Sequence, residues 1–209
     1  MDETQDYYNS CLKGSIVGLL LGDAISYPYK GLQKEDINQI EMSPGSHGEI
    51  AGTWTFPGSF SLATMASIND CEQIVAQDII EKFNDVYVGD YLCPGECKDI
   101  GPITSESISN FTNGLPVDKC GITEYSGDSD CLLRILPVGL YLAPQPIEEI
   151  IDQAHKICSI THNDTCSQIY CALFCLIVRN ILLQKGEKAF DILEEYYTRN
   201  LDEHKYILN

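Results

Sequence analysis

The chain has 209 residues, 44% hydrophobic and 21% charged, with 13 Lys and Arg against 31 Asp and Glu for a formal net charge of −18. That length and apolar content support a single domain with a real core and exclude a disordered chain. The charge argues against direct nucleic-acid binding and against adsorption to anionic lipid, and it permits divalent cations or a basic protein partner.

Met1 to Asp6 is acidic, whereas a secretory signal needs a basic start and an apolar stretch. The 10 cysteines therefore read as free, mostly buried thiols of an intracellular, cytoplasmic protein rather than as a disulfide framework. Cys11 to Ile25 predicts a buried helix, with Gly14, Gly18 and Gly22 on one face where another backbone is expected to approach closely. Each glycine costs up to ~1 kcal/mol of helix propensity relative to alanine, so a packing reason is expected. Tyr27 to Gly31 ends that helix, and Ser43 to Gly58, rich in Gly, Pro and Ser, reads as irregular. Helices are predicted over Ser59 to Ile68 and Glu72 to Phe83, the latter with Ile74, Val75, Ile79, Ile80 and Phe83 on one side.

From Gly89 to Gly127 the pattern breaks into turns with one short helix. Helical periodicity returns at Cys131 to Leu142, kinked or bounded at Pro137, and at Pro146 to Ile160. Asn163 or Asp164 caps a helix over Thr165 to Gln184, and a last one covers Glu187 to Tyr197. The apolar run Ile169 to Leu183 is shorter than the ~20 residues of a membrane span and is interrupted by Arg179 and Asn180, so no membrane association is expected. No hairpin or strand-pair signal stands out. The fold class is all-α, with one domain over residues 1–209.

Four segments, in order, carry a resemblance. Gly14-Ser15-Ile16-Val17-Gly18-Leu19-Leu20-Leu21-Gly22-Asp23-Ala24 is similar to the opening helix of the ADP-ribosylglycohydrolase family, which ends in Gly-Asp-Ala. Gly52-Thr53-Trp54-Thr55 looks like the start of the family's Gly-x-Trp-Thr-Asp-Asp-Thr metal motif. Leu133-Arg134-Ile135-Leu136-Pro137-Val138-Gly139-Leu140 is similar to its Met-Arg-x-x-Pro-x-Gly-Leu stretch, and Thr161-His162-Asn163-Asp164 matches its Thr-His-x-Asp element. The resemblance implies a compact orthogonal helical bundle in which two divalent metals, usually magnesium, position ADP-ribose and water. Hard cations of that kind want clustered carboxylates.

The carboxylates depart from the pattern. Where the family places adjacent aspartates after the threonine, the chain has Phe56 and Pro57, and Lys30 stands where many members carry an acid. The family's Asn-Gly-Asn-Gly phosphate loop aligns with Gly127-Asp128-Ser129-Asp130, whose negative charge opposes phosphate binding. The family's C-terminal Gly-Asp-Thr-Asp-Thr motif has no counterpart. The chain therefore reads as a degenerate or truncated member that lacks the C-terminal part of the fold, with no catalytic residue, no metal ligand and no cofactor expected.

Asp23, Thr55, Gly127, Ser129, His162 and Asp164 remain as relic substrate-binding positions. Each also has a structural reading: Asp23 as the C-terminal cap of its own helix or a loop hydrogen bond, Thr55 as a hydrogen-bond donor, and Thr161 to Asp164 as a helix start. Cys93-Pro94-Gly95-Glu96-Cys97 has the spacing of half a zinc site, with His47 and Cys120 as candidate partners, but no second pair completes it and loop thiols are expected. Cys166, Cys171 and Cys175 are expected in the core as small hydrophobes. Three functions stay open: a non-catalytic protein that binds a partner, a metal-independent ADP-ribose binder stacking on Tyr27, Tyr29, Trp54 and Phe56, and a magnesium-dependent hydrolase completed by another chain.

Overall fold

The structure, a computed structural model, describes residues 3–45, 48–89 and 91–200. Among these residues there are helices α1 (Glu3–Ser26), α2 (Phe56–Cys71), α3 (Ala76–Val88), α4 (Pro102–Thr112), α5 (Asp130–Arg134), α6 (Leu136–Leu142), α7 (Ile147–Ser159), α8 (Thr165–Leu182) and α9 (Ala189–Arg199), and no strands. Short 3-10 turns at Tyr27–Tyr29, Lys34–Asp36 and Val117–Lys119 punctuate the loops. The all-α reading holds.

Prolines set several boundaries. Pro57, Pro102 and Pro137 occupy the first turns of α2, α4 and α6, where a missing N–H is harmless and the fixed φ favours helix. Pro137 thereby splits the predicted Cys131–Leu142 helix in two at Ile135. Pro57 starts α2 at Phe56, inside the stretch expected to be irregular. The predicted start of the next helix at Glu72 gives way to a left-handed residue (φ 54°) that ends α2, and α3 begins at Ala76.

The centre of the molecule is α8, packed most extensively against α7 and α6 and further against α5 and α9. Its Cys171, Ala172, Cys175 and Leu176 are fully buried. α8 has the length and apolar content to cross a membrane; one face of it packs into the core, while Tyr170, Ile177 and Ile181 are exposed. Phe60 of α2, Ile79 and Phe83 of α3, Ile108 of α4 and Ile135 join the same core. α1 contributes Tyr8, Cys11, Leu12, Ile16 and Leu19 to a second cluster with Leu136, Leu140, Ala143 and Leu182.

Two expectations fail here. The face carrying Gly14, Gly18 and Gly22 is solvent-exposed, beside Val17 and Leu21 at 54% and 48% exposure, and nothing lies within 4 Å of where their Cβ atoms would stand. Periodicity showed that the three share a face but not whether anything packs on it. The close helix approach occurs at Gly139 instead, where a Cβ would sit 3.2 Å from the Cα of Cys175, bringing α6 onto α8. Cys166 is exposed rather than core, because it sits in the first turn of α8 on the face it shares with the exposed Tyr170; Cys171 and Cys175 are buried as expected. All 10 cysteines are free thiols.

Candidate functional site

The end of α1 and the start of α2 meet through Asp23. Its Oδ2 accepts from the backbone N–H groups of Thr55 (2.9 Å) and Gly58 (3.0 Å), and its Oδ1 accepts from the Thr55 hydroxyl (2.8 Å). Thr55 is the residue before α2 and makes no side-chain cap of its own, so Asp23 caps α2 from another helix. A carboxylate at a helix N-terminus satisfies unpaired amides and complements the dipole. Asp23 thus caps the following helix, not its own C-terminus.

Beside this joint lies a cavity of about 500 Å³ lined by Asp23, Tyr27, Tyr29, Lys30, Thr55, Phe56, Pro57 and Leu133. The positions that the resemblance placed at a metal centre do converge. Asp23 is the one carboxylate among the lining residues, and both of its oxygens are engaged by α2. Phe56 is 5% exposed and packs edge-on to Phe60 with ring centroids 6.0 Å apart. Lys30 reaches out to Asp99 at 3.2 Å. The Tyr29 hydroxyl accepts from the Glu41 N–H at 2.9 Å, which ties the loop over Gln39 to Glu41 to the cavity wall. Trp54 does not line the cavity; its indole N–H donates to the Leu92 carbonyl at 3.3 Å.

The remaining predicted residues gather elsewhere. In the acidic turn, the Asp128 carboxylate accepts from the Asp130 N–H (2.9 Å), and Asp130 accepts from the Gly101 N–H (3.1 Å) and the Thr104 hydroxyl (3.2 Å). Asp130 therefore serves the first turn of α4, which has no cap from its own N-cap residue, Gly101. Burial, then the charge of Asp128, pushes the Asp130 carboxyl up to about 6. Gly127 (φ +75°) and Ser129 are exposed on the turn and contribute backbone geometry.

His162 is buried. The Thr161 hydroxyl accepts from the Arg134 guanidinium and is hydrogen-bonded to His162 Nδ1 at 2.9 Å. His162 Nε2 faces Asp128 Oδ1 at 3.7 Å without a hydrogen bond. Burial holds the imidazole below its ordinary value. Asp164 accepts from the Ser167 N–H at 2.9 Å and caps α8. Gly127, Ser129, His162 and Asp164 do not line the Asp23 cavity. The two groups are joined through one loop, where Asp99 pairs with Lys30 and Gly101 binds Asp130.

Sequence reasoning missed the anchor of this region. Arg134, 1% exposed, donates to the carbonyls of Ile157 (3.2 Å) and Cys158 (3.4 Å) at the end of α7, and its guanidinium lies 5.0 Å from the Phe83 ring centroid. An arginine inside an otherwise apolar helical run was the available signal. Cys93 and Cys97 lie side by side, but among the described residues no further His, Cys, Asp or Glu joins them in a metal-sized cluster. Cys93 donates to the Ser59 hydroxyl at 3.2 Å, Cys120 donates to the carbonyl of Pro116 at 3.3 Å, and His47 lies outside the described residues. A second cavity of about 790 Å³, open and mainly apolar, lies between α1, α2 and α6 and was not foreseen.

The family profile described as ADP-ribosylglycohydrolase matches residues 4–207. An uncharacterised protein of Archaeoglobus fulgidus is 25% identical over a 134-residue match that covers 61% of this chain and 42% of that protein. Among solved structures, an ADP-ribosylglycohydrolase-related protein complex superposes with a TM-score of 0.74 at 20% identity, over 95% of this chain and 64% of that one. The chain thus corresponds to less than half of the curated relative and about two thirds of the structural neighbour. With the profile running through nearly the whole chain, and the fold matching across it, the chain belongs to the ADP-ribosylglycohydrolase family.

Proposed function

We propose that this chain has lost hydrolase activity and acts as a binding protein for a protein partner. The observation that carries the reading is the wall of the Asp23 cavity. Phe56 and Pro57 stand where the family's adjacent aspartates would be, Phe56 is packed into the core, and the one lining carboxylate is hydrogen-bonded to α2. A magnesium ion wants several carboxylate or water oxygens in near-octahedral array. Asp23 Oδ2 is held by the amides of Thr55 and Gly58, which leaves one carboxylate oxygen, Oδ1, for a metal to share with the Thr55 hydroxyl. The acidic turn supports the same reading, because Asp128 and Asp130 would repel a pyrophosphate. A net charge of −18 favours a partner with a basic surface and makes association salt-sensitive.

A second reading rests on the cavity itself. About 500 Å³ with the partly exposed Tyr29 on its wall and Lys30, paired with Asp99, at its edge offers an aromatic ring and a cation, which suits the adenosine end of ADP-ribose without metal. A thermal-shift titration with ADP-ribose, with and without magnesium, separates the possibilities. Ligand at a hundred times its dissociation constant adds ~2.7 kcal/mol, several degrees for a chain of this size. The binding-protein reading expects no shift in either condition, and the second reading expects one that ignores magnesium. A magnesium-dependent shift would overturn the loss of activity.

A further inference from the structure

Three thiols meet in the core at a place the preceding reading does not use. Cys131 comes from α5, Cys158 from the last turn of α7 and Cys171 from α8, and each is at most 1% exposed. Their Sγ atoms all lie within 4.8 Å of one another, and none is in a disulfide. Arg134 stands one turn beyond Cys131 on α5. Its partners, the Ile157 and Cys158 carbonyls, the Thr161 hydroxyl and the Phe83 ring, are all neutral, and its Nε has no hydrogen-bond partner. Among the described residues no carboxylate lies within ion-pair distance of that guanidinium. A buried cation without an anion is costly, and a negatively charged sulfur cluster beside it offsets that cost.

We propose that Cys131, Cys158 and Cys171 form a buried trigonal site for a soft monovalent cation of the Cu(I) class, with Arg134 as its counter-charge. Thiolates select soft d¹⁰ ions. With metal–sulfur bonds of about 2.3 Å, a trigonal plane needs sulfurs about 4.0 Å apart, so the observed cluster has to contract by less than about 1 Å. Zn(II) prefers four ligands, and this cluster holds three sulfurs with no carboxylate or imidazole among them. The binding step balances without electron transfer: one Cu(I) replaces three thiol protons, leaving a trithiolate complex of charge −2 beside the single positive charge of Arg134. Cysteines serving only as small core hydrophobes would share the burial but have no reason to converge beside an uncompensated guanidinium.

The test is anaerobic titration of the folded full chain with Cu(I) in competition with a chromophoric Cu(I) chelator, so that only the tightest site fills. The expected result is one equivalent bound with a sulfur-to-copper charge-transfer band. C131A and C171A should each weaken binding at least tenfold, while C93S/C97S should leave it unchanged. X-ray absorption on the wild-type complex should count three sulfurs, a reading that requires no core variant to fold. Binding retained in both C131A and C171A would overturn the proposal. So would its loss in C93S/C97S, a shell of two sulfurs or one containing nitrogen, or displacement of Cu(I) by equimolar Zn(II).

Discussion

Asp23 ties two helices together through one carboxylate. Its three hydrogen bonds reach from α1 to the start of α2, and Thr55 is held by two of them. D23A removes the acceptor for two backbone amides and is expected to cost about 1–3 kcal/mol, read as a lowered urea midpoint at unchanged slope. D23N keeps one carbonyl oxygen and should lose less.

Asp130 and His162 give opposite pH signatures. Asp130 is raised to about 6, so its contribution is fully present below its ordinary value of 3.8 and is lost as pH rises through about 6. His162 is depressed, first by burial, so its contribution is present above its ordinary value of 6.5 and is lost as pH falls through the lower folded value. Denaturant titrations of D130N should lack the wild-type loss of stability between about pH 4 and pH 6. H162Q should lack the decline that begins below about pH 6.5. Parallel curves for a variant and the wild type would refute the corresponding assignment.

At the scale of elements, the helices were legible where their ends carry strong local chemistry. Pro137 bounds α6 and Pro146 marks the start of α7 because a proline N–H is not missed there, and Asp164 caps α8 within its own sequence neighbourhood, whereas Pro102, which starts α4, lies in the Gly89 to Gly127 stretch that reads as turns with one short helix. The caps that come from elsewhere in the chain were not legible. Asp23 on α2 and Asp130 on α4 each act across long sequence separations, so no local spacing encodes them. The segment around Gly121 is another such case. An isolated parallel bridge joins Ile122 to His162, and a Cβ on Gly121 would run into the Ser159 carbonyl at the end of α7. G121A must push that backbone aside, with an expected cost of about 1–3 kcal/mol measurable as a fall in Tm. An unchanged Tm would mean that the bridge gives way freely.

For the whole molecule, the charge of −18 acts on both stability and association. Raising NaCl from about 0.1 to about 1 M shortens the Debye length from about 10 Å to about 3 Å and relieves self-repulsion. Tm should rise by about 2–4 °C for each kcal/mol relieved, while binding to a basic partner should weaken over the same range. A Tm that falls with salt would show that the ion pairs, such as Lys30–Asp99 and Arg179–Glu187, outweigh the net repulsion.

By itself the sequence determined the all-α class, the main helices and the family, because these follow from periodicity, helix-end chemistry and short motifs read along the chain. The presence of Phe56 and Pro57 directly after Thr55 was legible too, since these are identities rather than geometries. Tertiary structure alone decided what the polar side chains touch. It turned Asp23 and Asp130 into caps, left the glycine face of α1 open to solvent, buried Arg134 against the end of α7, and brought Cys131, Cys158 and Cys171 together. Those are long-range contacts between helices, and the packing of one face on another is fixed by the whole set of neighbours rather than by the residues along either helix.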